Sequence, residues 1–141
     1  MSYLERGEVT SEQFLSVEEH TRRKDLTRRA VLNLFSDGGW PWLEKRNFIF
    51  FGSIARGEAT QLSDVDLGII VDVLFYTQVE FNDYDWKLRN ALKPGIDASG
   101  ADFEIHATVV SRLWLQFNDK QCYLRPGVTE GINRDGIPLF D

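Results

Sequence analysis

Asp64 and Asp66 stand two residues apart at the head of an apolar run that continues through Leu67, Ile69, Ile70 and Val71. On a β-strand, side chains at i and i+2 point to the same side, so both carboxylates can face one divalent cation or bridge two. Upstream, Gly52-Ser53 follows another apolar run, Asn47 to Phe51. Gly52 lets the backbone approach a phosphate with no Cβ in the way. Backbone N–H groups from Ser53 onward, at a helix start, would point at an anion, and the Ser53 hydroxyl adds a donor. Arg56 suits a phosphate or a carboxylate of the site; Ser63 suits a hydrogen bond to the backbone that aims the Asp pair and, with Gly52, Ser53 and Arg56, is a candidate for binding the nucleotide. A Gly-Ser turn beside paired carboxylates fits a triphosphate held by divalent metal. The chemistry is then transfer at phosphorus, where two ions about 4 Å apart clamp the attacking and leaving oxygens. A third carboxylate from a neighbouring strand would complete one metal site and help deprotonate the attacking hydroxyl. Glu104, between Phe103 and Ile105, is the candidate, with Asp102 on the same face as the alternative. Singly, each of these features is common in turns and exposed strands; in this order, on two strands, they carry the reading. His106 reads as a satisfied polar neighbour rather than a base.

These residues need strands and helices to hold them. Leu26, Ala30 and Leu34 recur at spacing four and predict a helix over about residues 12–36, stopped by Asp37-Gly38-Gly39. Trp40-Pro41-Trp42 reads as a stiff connector covering a core edge. A first strand is predicted over 47–51, and a short helix from Ser53 through Ala59. The second strand, 64–72, turns Val65, Leu67, Ile69 and Val71 to the core and Asp64, Asp66, Gly68, Ile70 and Asp72 to the other face. A long helix over about 75–92 is expected to stop at Pro94-Gly95. The third strand, 102–110, alternates in the same way. A mostly apolar helix (111–117) follows, then a closing helix and tail over 128–140. Gly52-Ser53 ends one strand and the Asp pair opens the next, so the two meet most simply if those strands are antiparallel. The expected fold is α/β (α+β): a small mixed sheet with helices packed on one face. Residues 1–141 read as one domain, with 1–10 frayed and the core motif in 47–110.

The 141-residue chain is 43% hydrophobic and carries a net charge of −6. That charge argues against a protein that coats nucleic acid, where affinity comes mainly from cationic contacts. Arg22, Arg23, Lys24, Arg28 and Arg29 crowd one helix. They read first as a solvated face paired with Glu18, Glu19 and Asp25, and second as a patch for an anionic partner. No apolar signal-peptide core and no run near the ~18 apolar residues of a membrane span is present, so a cytoplasmic location is expected. Cys122 is the sole cysteine, which excludes an internal disulfide and a Cys/His metal cluster.

The stretch Gly52-Ser53-Ile54-Ala55-Arg56-Gly57, followed by Ser63-Asp64-Val65-Asp66-Leu67, resembles the signature of the DNA polymerase beta-like nucleotidyltransferase superfamily. Within it the chain looks most like the minimal nucleotidyltransferases, and Ile132-Asn133-Arg134-Asp135-Gly136 with Leu139-Phe140 loosely resembles their ending. The resemblance implies transfer of a nucleoside monophosphate from a triphosphate, chiefly ATP, to an acceptor hydroxyl. Pyrophosphate is released, and two Mg²⁺ ions, or Mn²⁺, are required. It implies that Gly52 and Ser53 hold phosphates and that Asp64 and Asp66 hold metal, with Glu104 or Asp102 as the third carboxylate. Many such proteins are antitoxins that bind or adenylylate a helical HEPN ribonuclease partner. The Arg-then-His spacing of that nuclease is absent around His20 and His106.

Three functions compete at this level. One is an antitoxin-type protein modifier. Another is a small-molecule nucleotidyltransferase of the aminoglycoside-modifying kind, whose cationic acceptors would suit a cleft rimmed by Asp72 and Asp102. The last is a non-catalytic binding module that keeps the fold. A nucleic-acid acceptor, reached through the arginine cluster, ranks below these.

Overall fold

The computed structural model describes residues 13–36, 43–117, 123–124 and 127–140. The order is α1 (Val17–Ser36), β1 (Phe48–Phe51), α2 (Ser53–Arg56), β2 (Val65–Val71), α3 (Gln78–Ser99), β3 (Ile105–Ser111), α4 (Arg112–Phe117), α5 (Val128–Asp135) and β4 (Ile137–Pro138). The strands form one mixed sheet in the order β3-β2-β1-β4. β1 runs antiparallel to β2, as the placement of Gly52 and the Asp pair predicts, and β2 runs parallel to β3. A parallel neighbour needs a long crossover, and α3 supplies it.

The alternation along the strands sorts the two faces. Phe48, Phe50, Val65, Leu67, Ile69, Val71 and Val109 are almost fully buried and form the core with Val31 and Leu34 of α1 and Leu88 and Leu92 of α3. The two long helices therefore keep to one face, as expected. The short α5 lies against the other, where Gly131 approaches Phe51 and the Gly136 that ends α5 approaches Ile49. Gly68 and Ile70, assigned to a polar face by alternation, are buried, so that face is covered in its middle and open toward its Asp66 end.

α3 departs from expectation at both ends. It begins at Gln78, where Thr77 Oγ1 accepts the Glu80 N–H (3.1 Å) and the Glu80 carboxylate accepts the Thr77 N–H (3.2 Å) in return. Phe75, taken as the helix start, instead packs edge-on to Phe81 and Tyr84 and against Trp114. Burial pushes the Tyr84 phenol up to about 12. The helix passes through Pro94 and ends only at Gly100, which is left-handed (φ +80). Gly95 is a contact rather than a stop, because a Cβ there would overlap the Ala30 carbonyl oxygen of α1. Close α1–α3 packing carries the helix past the proline.

Smaller differences follow from pairing. α1 starts at Val17 rather than residue 12, since Phe14 bridges Thr60 and the Leu15 N–H bonds the Ala59 carbonyl (2.7 Å). β4 was not foreseen; it is a two-residue strand that pairs Ile137 and Pro138 with Phe50 and Ile49. β3 is an edge strand, and the Asp85 carboxylate of α3 accepts the outward Val109 N–H (3.2 Å), blunting that edge. The Asp37-Gly38-Gly39 stop, the Trp40-Pro41-Trp42 connector, Cys122 and the frayed 1–10 segment lie outside the described residues. No helix among the described residues is long and apolar enough to cross a membrane.

Candidate functional site

Gly52 and Asp66 define the best-formed part of the site. The β1–β2 ladder sets Phe51 opposite Asp66, so the residue after β1 falls against that carboxylate. Gly52 has φ +72 and ψ −153, a region essentially closed to other residues. A Cβ on Gly52 would overlap Asp66 Oδ2. Backbone conformation and side-chain space thus demand glycine independently. Ser53 opens α2, a single turn in which the Ala55 and Arg56 N–H groups bond the Gly52 carbonyl (3.1 and 3.2 Å). Gly57, left-handed at φ +71, ends it.

Asp64 lies one residue ahead of β2 and is exposed, whereas Asp66 is half-buried. Val65 between them is 1% exposed and faces the core, which leaves the flanking positions to the open face. Ser63 braces this approach. Its Oγ accepts the Thr60 N–H (2.9 Å) and its own N–H bonds the Thr60 carbonyl (3.0 Å), closing the turn ahead of the Asp pair. The hydroxyl is engaged with the backbone of the turn that leads into Asp64.

On the other side of β2 the parallel ladder pairs Val65 with Ile105 and Asp66 with His106. One residue earlier, the Glu104 carbonyl accepts the Val65 N–H (2.8 Å), which places Glu104 beside Asp64 ahead of the strands. Glu104 is exposed. Asp102 sits in a bend before β3 and is tied to α1, where Arg22 Nη2 lies 3.0 Å from its Oδ1. The hydrogen bond from Arg22 holds the Asp102 carboxyl below its ordinary range. Of the two alternatives for a third carboxylate, Asp102 is engaged by a cation and Glu104 stands next to Asp64.

His106 lies on the same face as the Asp pair. It is half-buried, it is the register neighbour of Asp66, and it lines two cavities of about 210 and 430 Å³ along the β3 edge, with Arg89 in both. Alternation put it on the polar face. Only the register, invisible in the sequence, put it beside Asp66.

Arg56 pairs with two carboxylates of the fold. Its Nε lies 2.9 Å from Glu58 Oε1, and its Nη1 lies 2.9 Å from Asp135 Oδ2 at the end of α5. Asp135, also held by Arg134 at 3.0 Å, is shifted down chiefly by that hydrogen bond and secondarily by Arg56. The acidic rim invoked for a cationic small-molecule acceptor is likewise occupied, since Asp72 pairs with Arg112 (2.7 Å) and Asp102 with Arg22. The basic cluster of α1 is largely spent within the fold. Arg22 and Arg23 pair with Glu19, and Arg28 pairs with Asp25 while donating to the Leu139 carbonyl (2.6 Å).

Asp64, Asp66 and Glu104 are hard oxygen donors, the kind Mg²⁺ takes. Among the described residues, no three Asp, Glu, His or Cys side chains stand close enough to hold a metal as a group. The donor set still fits, because Mg²⁺ is usually held by one or two carboxylates, with phosphate oxygens and water completing its shell.

Residues 39–99 match the family model of a nucleotidyltransferase domain. The match covers β1, α2, β2 and α3, includes Gly52, Ser53, Asp64 and Asp66, and ends before Glu104. Among solved structures, the fold is similar to that of a Sulfolobus solfataricus protein classed as a nucleotidyltransferase. The TM-score is 0.53 at 17% identity, covering 94% of this chain and 88% of that one. That likeness shows a shared fold. No curated protein gives a significant match.

Proposed function

We propose that the chain is a cytoplasmic enzyme that transfers a nucleoside monophosphate from ATP to an acceptor hydroxyl, with release of pyrophosphate. The nucleotidyltransferase-domain match supports nucleotidyl transfer in general. The observation that carries the finer reading is Gly52 packed on the Asp66 carboxylate, which brings a side-chain-free turn against a candidate metal ligand.

In this reading Gly52 and Ser53 would hold the phosphates, Asp64 and Asp66 would hold divalent metal with phosphate oxygens and water completing its shell, and Glu104, beside Asp64, would be the third carboxylate of the site. Bound Mg²⁺ would neutralise phosphate charge and stabilise the charge that develops at phosphorus. The acceptor oxygen bonds to the α-phosphorus, the bond from that phosphorus to the bridging oxygen of pyrophosphate breaks, and Glu104 takes the acceptor's proton. Ser63 aims Asp64 through its turn.

The acceptor we favour is a protein hydroxyl, in an antitoxin-type pairing with a helical HEPN ribonuclease. Its support is the resemblance of the Gly52–Gly57 and Ser63–Leu67 stretches, together with the engagement of Asp72 and Asp102 by arginines, which removes the rim a cationic small molecule would use. The test is incubation with ATP labelled at the α-phosphate, Mg²⁺ and whatever protein co-purifies from the native host. The partner should gain the mass of one nucleoside monophosphate, and Asp64→Asn should abolish the gain. A partner that binds but never gains mass with any nucleotide would leave a binding module in place of an enzyme.

A further inference from the structure

Arg23 is 2% exposed on a helix whose other basic residues reach solvent, and the sequence offers no reason to bury it. Its guanidinium is fixed on three sides. Nε donates to Glu19 Oε2 (3.0 Å), Nη1 donates to the Ser63 carbonyl (3.4 Å), and the group lies 5.1 Å from the centre of the Phe103 ring. Ser63 immediately precedes Asp64, and Phe103 immediately precedes Glu104. Next to it, Arg22 holds Asp102, one residue further back on the same β3 approach. Both approaches lie just outside the strands, at the end of the β2–β3 pairing. Apart from the Val65 N–H to Glu104 carbonyl bond (2.8 Å), they meet through α1.

We infer that Arg23 is a positioning residue that sets Asp64 and Glu104 relative to each other, and so sets the affinity of the site for divalent metal. The inference rests on the reading of Asp64 and Glu104 as metal-binding carboxylates. A planar guanidinium suits the task, since one rigid fork serves the Glu19 carboxylate and the Ser63 carbonyl while its face covers an aromatic ring. Residues that hold metal ligands from behind typically cost 10–100-fold in metal affinity when removed (roughly, across metal sites).

The experiment is Mn²⁺ binding to the full chain, followed by the electron paramagnetic resonance of free Mn²⁺, with thermal unfolding in EDTA as the measure of stability. Arg23→Met removes the guanidinium while keeping a long unbranched side chain, and should weaken Mn²⁺ binding about tenfold or more. Arg23→Lys, which keeps the charge but not the fork, should fall between. Arg28→Met removes another α1 arginine, one bonded to the Leu139 carbonyl far from either approach, and should lower stability without changing Mn²⁺ affinity. Wild-type affinity in Arg23→Met, or an equal loss in Arg28→Met, overturns the inference. If Arg23→Met does not fold, Arg23→Lys decides, and unchanged binding there overturns it. A wild type that shows no Mn²⁺ binding dependent on Asp64 and Asp66 refutes the underlying metal reading instead, and is recognised without any arginine variant.

Discussion

The two sides of β2 are built in different ways. Toward β1, an antiparallel connection and a four-residue register put Gly52 against Asp66. Toward β3, the whole of α3 intervenes, and the candidate carboxylates precede their strands. There the side chains of α1 take over: Arg22 on Asp102, Arg23 on Ser63 and Phe103. The ladder side is local in sequence and rigid. The clamped side depends on residues far apart in the chain and is where substitutions can tune the site without dismantling it.

Substitutions on the ladder side should have the largest effects. Gly52→Val sets a side chain into Asp66 at a backbone conformation valine does not adopt. It should remove nucleotidyl transfer and cost on the order of 1–3 kcal/mol of stability, measured by chemical unfolding. Asp66→Asn should lower the transfer rate about a thousandfold, since metal stabilisation of the transition state is worth several kcal/mol. On the clamped side, Glu104→Gln should lower the rate about a hundredfold, the lower end of what a proton acceptor contributes. Asp102→Asn should leave the rate close to wild type, and equal losses in these two variants would erase the distinction between them.

The smallest effect is one of pH. Arg22 depresses the Asp102 carboxyl, so the pair contributes stability above the unfolded carboxylate range and loses it as the pH falls through the folded value. The melting-temperature difference between wild type and Asp102→Asn should be present above about pH 4 and close below it. A difference that widens on acidification would contradict the pairing.

The ladder side was the legible one. Alternation of Val65, Leu67, Ile69 and Val71 fixes the faces of β2, and the Gly-Ser and Asp-x-Asp spacing implies the antiparallel pairing that β1 and β2 adopt. The clamped side was not. Nothing local to Arg22 or Arg23 says that one will hold Asp102 and the other lie buried, because their partners are forty or more positions away. Gly95 misled for the same reason. Pro94-Gly95 reads as a helix stop, and only the approach of α1 reveals glycine as the residue that lets two helices touch. β4 is too short to carry a pattern, and it exists because Pro138 and Ile137 find β1.

Nucleotidyl transfer by this chain requires that Gly52, Asp64 and Asp66 form a metal-dependent nucleotide site. Titration calorimetry with a non-hydrolysable α,β-methylene analogue of ATP tests this without needing the acceptor. Wild-type protein should bind the analogue with Mg²⁺ and not in EDTA, and Asp66→Asn should not bind it in either. Equal binding with and without Mg²⁺, or undiminished binding by Asp66→Asn, would contradict it.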